Sequence, residues 1–226
     1  MIASVLSALN DELKPYHCRL IAVSKTQPVE KLREAYDAGQ RIFGENKAQE
    51  MCSKHEQLPA DIAWHMIGHL QRNKVKYIAP FVTLIHSVDS LSLMEEINKQ
   101  GEKNQRVIDC LLQIHIATEE TKFGFDRESA LAAIPEIAKM KWVRVCGLMG
   151  MATFTDDQNK VRNEFHTLRS LFDELKNQSL PANGLLQIVC DFLCSTNSID
   201  SSSLINHRYQ PDRQSNLYFL SFHAST

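Results

Sequence analysis

Apolar, β-branched runs recur along the chain and alternate with stretches of helical period. The runs lie at 19–25 (RLIAVSK), 41–45 (RIFGE), 62–68 (IAWHMIG), 84–88 (LIHSV), 107–116 (VIDCLLQIHI) and 142–151 (WVRVCGLMGM). Most are apolar nearly throughout, which suits strands covered on both faces, as parallel strands are. Between the first two, Val29, Leu32 and Tyr36 share a helical face, with Pro28 suited to the first turn and Gly39 to the stop. Asp89 or Ser90 can cap a helix carrying Leu91, Met94 and Ile97, with Gly101 expected beyond its end. Val161, Phe165, Leu168, Phe172 and Leu175 form a stripe on a helix that Asp156 or Asp157 can open. Pro135 falls inside a further helical pattern and is expected to kink or split it.

Each strand starts about one β/α unit after the last, and six units in a row argue for an α/β fold with a parallel sheet. Two architectures fit: a doubly wound open sheet or a (β/α)8 barrel of the TIM type. The first turn reads Ser24-Lys25-Thr26-Gln27 and lacks G-x-G-x-x-G, which weakens the dinucleotide-binding version. A barrel needs two more units after Gln178, and 226 − 178 leaves 48 residues for them. From about Leu180 the pattern changes: Ser195, Asn197, Ser198, Ser201, Ser202 and Ser203 crowd together. Residues 185–193 and 216–222 can each form a strand, without a convincing amphipathic helix between or after them.

Composition narrows the function classes. With 226 residues and 43% hydrophobic content, one domain with a sizeable core is expected. Lys plus Arg number 25 and Asp plus Glu 27, so the net charge of -2 supplies no attraction to nucleic acid or an anionic membrane. No run approaches the ~18 apolar residues of a membrane span, and residues 1–13 do not read as a signal peptide. Cysteines at 18, 52, 110, 146, 190 and 194 are too irregular for a disulfide scaffold and suggest a reduced, cytoplasmic setting.

In an α/β barrel the chemistry sits at the C-terminal ends of strands. Those ends carry Lys25, Glu45 with Asn46, His65 with Gly68, Ser87, His115, and Met149 with Met151. A lysine pointing into a barrel mouth loses hydration, its pKa falls, and the neutral amine can form an imine with an aldehyde. The plainer reading of Lys25 is a strand-end lysine reaching solvent. His65 and His69 have H-x₃-H spacing, but Met66 stands where the helical zinc motif has Glu, so a structural or substrate-contact role is expected rather than metal. Cys190 and Cys194 read as ordinary thiols, Ser24 lacks a G-x-S-x-G setting, and Glu119, Glu120 and Lys122 read as a solvated loop.

Several segments together strongly resemble one family. They are Ala22-Val23-Ser24-Lys25-Thr26 with Pro28, Phe43-Gly44-Glu45-Asn46 with Gln49-Glu50, and Trp64-His65-Met66-Ile67-Gly68-His69-Leu70-Gln71-Arg72-Asn73-Lys74. Ser87-Val88-Asp89-Ser90, Lys122-Phe123-Gly124 and Gly147-Leu148-Met149-Gly150-Met151 continue the match. The family is that of the pyridoxal phosphate homeostasis proteins. The resemblance implies a (β/α)8 barrel like the N-terminal domain of alanine racemase, with residues 1–179 forming six β/α units. It implies pyridoxal 5′-phosphate held as an imine on Lys25, a role in vitamin B6 and amino-acid homeostasis, and no catalysis. Asn46, His65, Ser87 and Met149 are the expected cofactor contacts around that lysine. Pyridoxal phosphate and PLP-dependent apoenzymes are the implied partners, nucleic acid and membrane are not, and a monomer or weak homodimer is expected.

The match stops near residue 179. The family's Ser-Met-Gly-Met-Ser on strand seven and Val-Arg-Ile-Gly near strand eight are missing, and no Gly follows Gly184. Residues 180–226 therefore read as an atypical tail, with a frameshifted or mis-spliced terminus as the simplest origin. The last two β/α units are left without support, closure of the barrel is in question, and the usual phosphate loops are altered. Two other functions compete: a racemase-like PLP enzyme, for which His65 and His115 are the only second bases in view, and an impaired product of a damaged gene.

Overall fold

Eight strands, all paired in parallel, run in sequence order around a closed ring in the computed structural model. Residues 2–16, 19–117, 123–153, 155–177, 187–191 and 216–221 are described. A first helix, α1 (Ile2–Leu13), leads into β1 (Arg19–Val23), α2 (Val29–Asp37), β2 (Ile42–Glu45), α3 (Ala48–His55) and β3 (Ala63–Met66). Next come α4 (Val75–Ile78), β4 (Leu84–Val88), α5 (Leu91–Lys103), β5 (Ile108–Ile114), α6 (Arg127–Ile137), β6 (Val143–Met151) and α7 (Gln158–Asn177). β7 (Gln187–Asp191) and β8 (Asn216–Ser221) complete the ring.

The six predicted strands all form, shorter than their apolar runs by a residue or two at most ends. Alternation along them separates two cores. Leu20, Ala22, Phe43, Trp64, Met66, Ile85, Leu112 and Leu148 face outward and pack beneath the helices. Ile21, Leu84, Leu111, Cys146 and Met149 face inward and fill the ring, with Ile42 and Met151 beside them. Near the start of β5 and β6 the inward face is polar: Arg144 donates from Nε to Asp109 Oδ1 at 2.7 Å and from Nη2 to Oδ2 at 2.6 Å. The stripe predicted for α7 is real, with Val161, Phe165, Leu168, Phe172 and Leu175 all buried. Each such side chain contributes roughly 1.5–3 kcal/mol of burial.

Three expectations change. Gly101 lies inside α5 rather than beyond it, because the helix runs on to Lys103. A Cβ there would come within 2.7 Å of the Trp142 carbonyl oxygen, so this glycine serves close packing, not termination. Pro135 neither splits nor ends α6. It falls two residues before the helix stops at Ile137, where the lost N–H breaks only a last-turn bond.

The third change concerns closure. Closure, in question from the sequence, is supplied by the tail: β8 pairs with β1 from Arg19↔Leu217 to Val23↔Ser221, and β7 pairs with β6 from Gly147↔Gln187 to Met151↔Asp191. The two apolar runs of the tail are enough to supply backbone ladders, which ask for strand-forming sequence and not for a particular motif. Residues 178–186, 192–215 and 222–226, where helices of the last two units would fall, lie outside the described residues.

Candidate functional site

At the C-terminal end of β1 the chain turns sharply. Ser24 N–H continues the ladder to Gly44 O at 3.0 Å, and Gln27 N–H closes the turn on Ser24 O at 3.0 Å. Thr26 takes φ +62°, a left-handed conformation that costs a non-glycine residue of order 1–3 kcal/mol. Pro28 then caps α2 with the extended backbone that proline favours. Lys25 sits at the crest of this turn and is half-buried. Among the described residues its amine has no hydrogen bond or ion pair.

Its neighbours are held by a buried ionic network on the outer side of the wall. Lys54, from α3 and 5% exposed, donates three times: to Ser24 O at 2.7 Å, Glu45 Oε1 at 2.8 Å and Glu50 Oε1 at 2.7 Å. An ammonium has three donors, and all three are used. Ser24 Oγ donates to Glu45 Oε1 at 2.6 Å, and Thr26 N–H donates to Glu50 Oε1 at 2.6 Å. Burial raises the Glu45 pKa, opposed by the hydrogen bonds from Lys54 and Ser24. Its second oxygen, Oε2, is buried without a hydrogen bond among the described residues, in keeping with burial as the larger effect.

The other predicted residues fall into two groups. Asn46 and Ser87 meet around Gly68: a Cβ on Gly68 would lie 2.6 Å from Asn46 O, and Ser87 Oγ donates to Gly68 O at 2.5 Å. Only glycine lets the ends of β2, β3 and β4 approach so closely. His65 and Met149 lie deeper. Met149 packs in the inner apolar cluster with Ile21 and Leu111. His65 Nδ1 lies 3.0 Å from His86 Nε2, so one ring donates and the other accepts. Burial lowers the His65 pKa to about 3, with Arg19 adding to the effect, and lowers His86 well below its ordinary value. Both are neutral near pH 7.

His65 and His69 do not act together. His69 is half-exposed on the loop beyond β3, with Nδ1 3.1 Å from Asp89 Oδ2 and its ring stacked on Phe123 at 4.6 Å. Phe123 O in turn accepts from Gln113 Nε2 at 2.8 Å, which ties the β5 end to this loop. Among the described residues no three His, Cys, Asp or Glu side chains converge as metal ligands. Burial raises the Cys110 thiol well above its ordinary pKa and Cys146 to about 11, so neither is a thiolate near pH 7. No described helix is long and apolar enough to cross a membrane. Cys194, Glu119, Glu120 and Lys122 lie outside the described residues.

Sequence reading missed Lys54, His86 and the role of Glu50. One signal was available: Glu50 and Lys54 stand four apart on a helix, the spacing of an ion pair. That this pair would be turned inward onto β1 and β2 is set by α3 packing through Ala48 and Met51, which periodicity over eight residues barely resolves.

The alanine racemase N-terminal domain family matches residues 2–187. The pyridoxal phosphate homeostasis protein of Aquifex aeolicus is 40% identical over 161 residues, 71% of this chain and 71% of its own length. PipY of Synechococcus elongatus PCC7942, solved without PLP, superposes with a TM-score of 0.82 at 30% identity, covering 97% of each chain. The same protein with PLP bound gives a TM-score of 0.79 at 30% identity, over 97% of this chain and 98% of PipY. With sequence and fold in agreement over most of its length, the chain belongs to the pyridoxal phosphate homeostasis protein family, built on the alanine racemase N-terminal domain.

Proposed function

We propose that this protein holds pyridoxal 5′-phosphate on Lys25 and serves the homeostasis of that cofactor without catalysis of its own. The observation that carries the reading is the setting of Lys25: a half-buried amine at a strand end, without a partner among the described residues, between two residues that are both fixed. The residues present fit an aldehyde-bearing group. In its deprotonated form the Lys25 amine adds to the aldehyde carbon; an N–C bond forms, the carbonyl oxygen leaves as water, and the two amine hydrogens leave with it. When bound, the cofactor supplies an electron-accepting ring that a racemase exploits and a carrier only transports.

Around Lys25, Asn46 and Ser87 are read as contacts from the rim gathered at Gly68, and His65 and Met149 as support from below. Chemistry at an amino-acid α-carbon needs a placed base, and His65 is a poor one: its pKa of about 3 leaves little affinity for a proton. This favours the carrier over the racemase-like alternative. The relatives are named as homeostasis proteins, in line with that choice. Residues 1–179 are read as six units of a TIM-type (β/α)8 barrel, and the tail as completing its ring with strands but without the family's glycine motifs. PLP-dependent apoenzymes are the proposed recipients, a monomer or weak homodimer the proposed state, and the cytoplasm the proposed location.

Reduction with borohydride in the presence of pyridoxal phosphate tests the assignment. One adduct is expected, mapped by mass spectrometry to Lys25 and lost in Lys25→Ala. An adduct concentrated on Lys47 or Lys74 instead would refute it. Loss of α-deuterium from labelled amino acids at a rate above that of free cofactor would favour the racemase reading.

A further inference from the structure

We propose that Glu50 and Lys54 are positioning residues for Lys25, fixing the two peptide groups on either side of it so that its amine is presented to the cofactor. This rests on Lys25 as the cofactor lysine and adds how the chain aims it. Lys54 fixes the preceding carbonyl, Ser24 O, and Glu50 fixes the following N–H, that of Thr26. Lys54 joins the two contacts, since its ammonium also donates to Glu50 Oε1 and, from the same nitrogen, to Glu45 at the end of β2. The crest of the turn is thereby tied to the adjoining strand and to α3, while the Lys25 side chain has no hydrogen bond or ion pair to a described residue.

Stability alone does not account for this arrangement. Taking two carboxylates and an ammonium out of water is costly, and well-packed apolar residues in such places are often as stable or more so. Ala48, Met51 and Phe43 already give the α3–β2 contact an apolar core. What the ionic groups add is direction. A left-handed threonine without a partner for its N–H would relax toward other backbone basins, and Lys25 would turn with it. A fixed turn spares the cofactor the entropy of ordering this segment when it binds.

The test uses three forms of the full chain. Glu50→Ala removes the acceptor for Thr26 N–H at a position only partly buried, where folding should survive. Glu50→Gln retains a carbonyl acceptor. Glu45→Leu combined with Lys54→Met removes both buried charges together, so that neither is stranded. Without cofactor, amide exchange at Thr26 should be faster in Glu50→Ala and near wild type in Glu50→Gln. With pyridoxal phosphate, imine absorbance should report affinity roughly tenfold to a hundredfold weaker in Glu50→Ala and in the double variant, the worth of one charge-assisted hydrogen bond. Glu50→Gln should recover most of it. Wild-type affinity in both weakened forms, or an equal loss in Glu50→Gln, overturns the proposal. If the wild-type adduct proves not to be on Lys25, the functional reading fails instead, and unchanged Thr26 exchange in Glu50→Ala would still defeat the clamp separately.

Discussion

Two lysines stand on either side of the β1 end, and nearly everything about them differs. Lys54 is buried, donates to three oxygens and is wedged between α3 and the outer wall of the ring. Lys25 is half-buried at the crest of the turn and has no hydrogen-bond or ion-pair partner among the described residues. An ammonium with all three donors committed is held in place and cannot reach a ligand, whereas a side chain without such bonds can. The contrast teaches that one short segment can hold an amine still without touching it, by gripping the peptide groups on both sides.

The largest expected effect separates the two lysines by stability. Lys54→Ala leaves Glu45 buried with a single partner and Ser24 O with one donor fewer, and removing one member of a buried pair costs about 3–5 kcal/mol. Lys25→Ala removes no hydrogen bond or ion pair to a described residue and should change stability by less than about 0.5 kcal/mol. Urea unfolding of the two variants without cofactor measures both. Equal losses would mean that Lys25 is as much a structural residue as Lys54, and the division of labour would fall.

Much of this was legible in the sequence, and the reason differs from place to place. The strands at 84–88 and 143–151 could be read because a strand buried on both faces leaves a continuous apolar run. Lys25 could be read because strand ends collect chemistry in this architecture and because Ser24-Lys25-Thr26 sits within a family-specific context. Lys54 could not. Its partners lie 30, nine and four residues away, and only the last separation has a local signature. His86 was hidden for a similar reason: inside an apolar run, one polar residue carries no mark of which face it takes. α1 carries Ile2, Val5, Leu6, Leu9 and Leu13 at helical spacing, a signal that stands ahead of the first strand and outside the β/α alternation.

Acid sharpens the comparison by weakening one buried polar pair before the other. The unfolded chain takes up a proton at His65 and at His86 as pH falls through 6.5, while the folded chain resists, His65 down to about 3. The unfolded state then binds more protons, so stability falls with pH, by about 1.4 kcal/mol per pH unit for each histidine. Glu45 acts in the opposite sense. Its folded pKa is raised, so the folded state takes its proton first, which offsets part of the loss once pH falls through that raised value. Unfolding free energies should therefore fall by about 2 kcal/mol over the first unit below 6.5 and go on falling below it, less steeply once Glu45 takes its proton and as pH nears 3. His86→Gln should roughly halve the initial slope. An unaltered slope in that variant would show that the histidine pair is not what titrates.

The smallest effect concerns the turn itself. Thr26 at φ +62° carries a strain that glycine would not, while glycine adds about 0.5–1 kcal/mol of unfolded-chain entropy to be lost. Set against a strain of about 1–3 kcal/mol, this leaves Thr26→Gly stabilising by about 0–2.5 kcal/mol. The informative measurement is the cycle with Glu50→Ala. If the Glu50 hydrogen bond serves to hold a strained residue in place, removing it should cost less stability once the strain is gone, and the two changes will not add. Strict additivity would mean that the Glu50 contact and the left-handed turn are independent. The grip on Lys25 would then come from Lys54 and Ser24 alone.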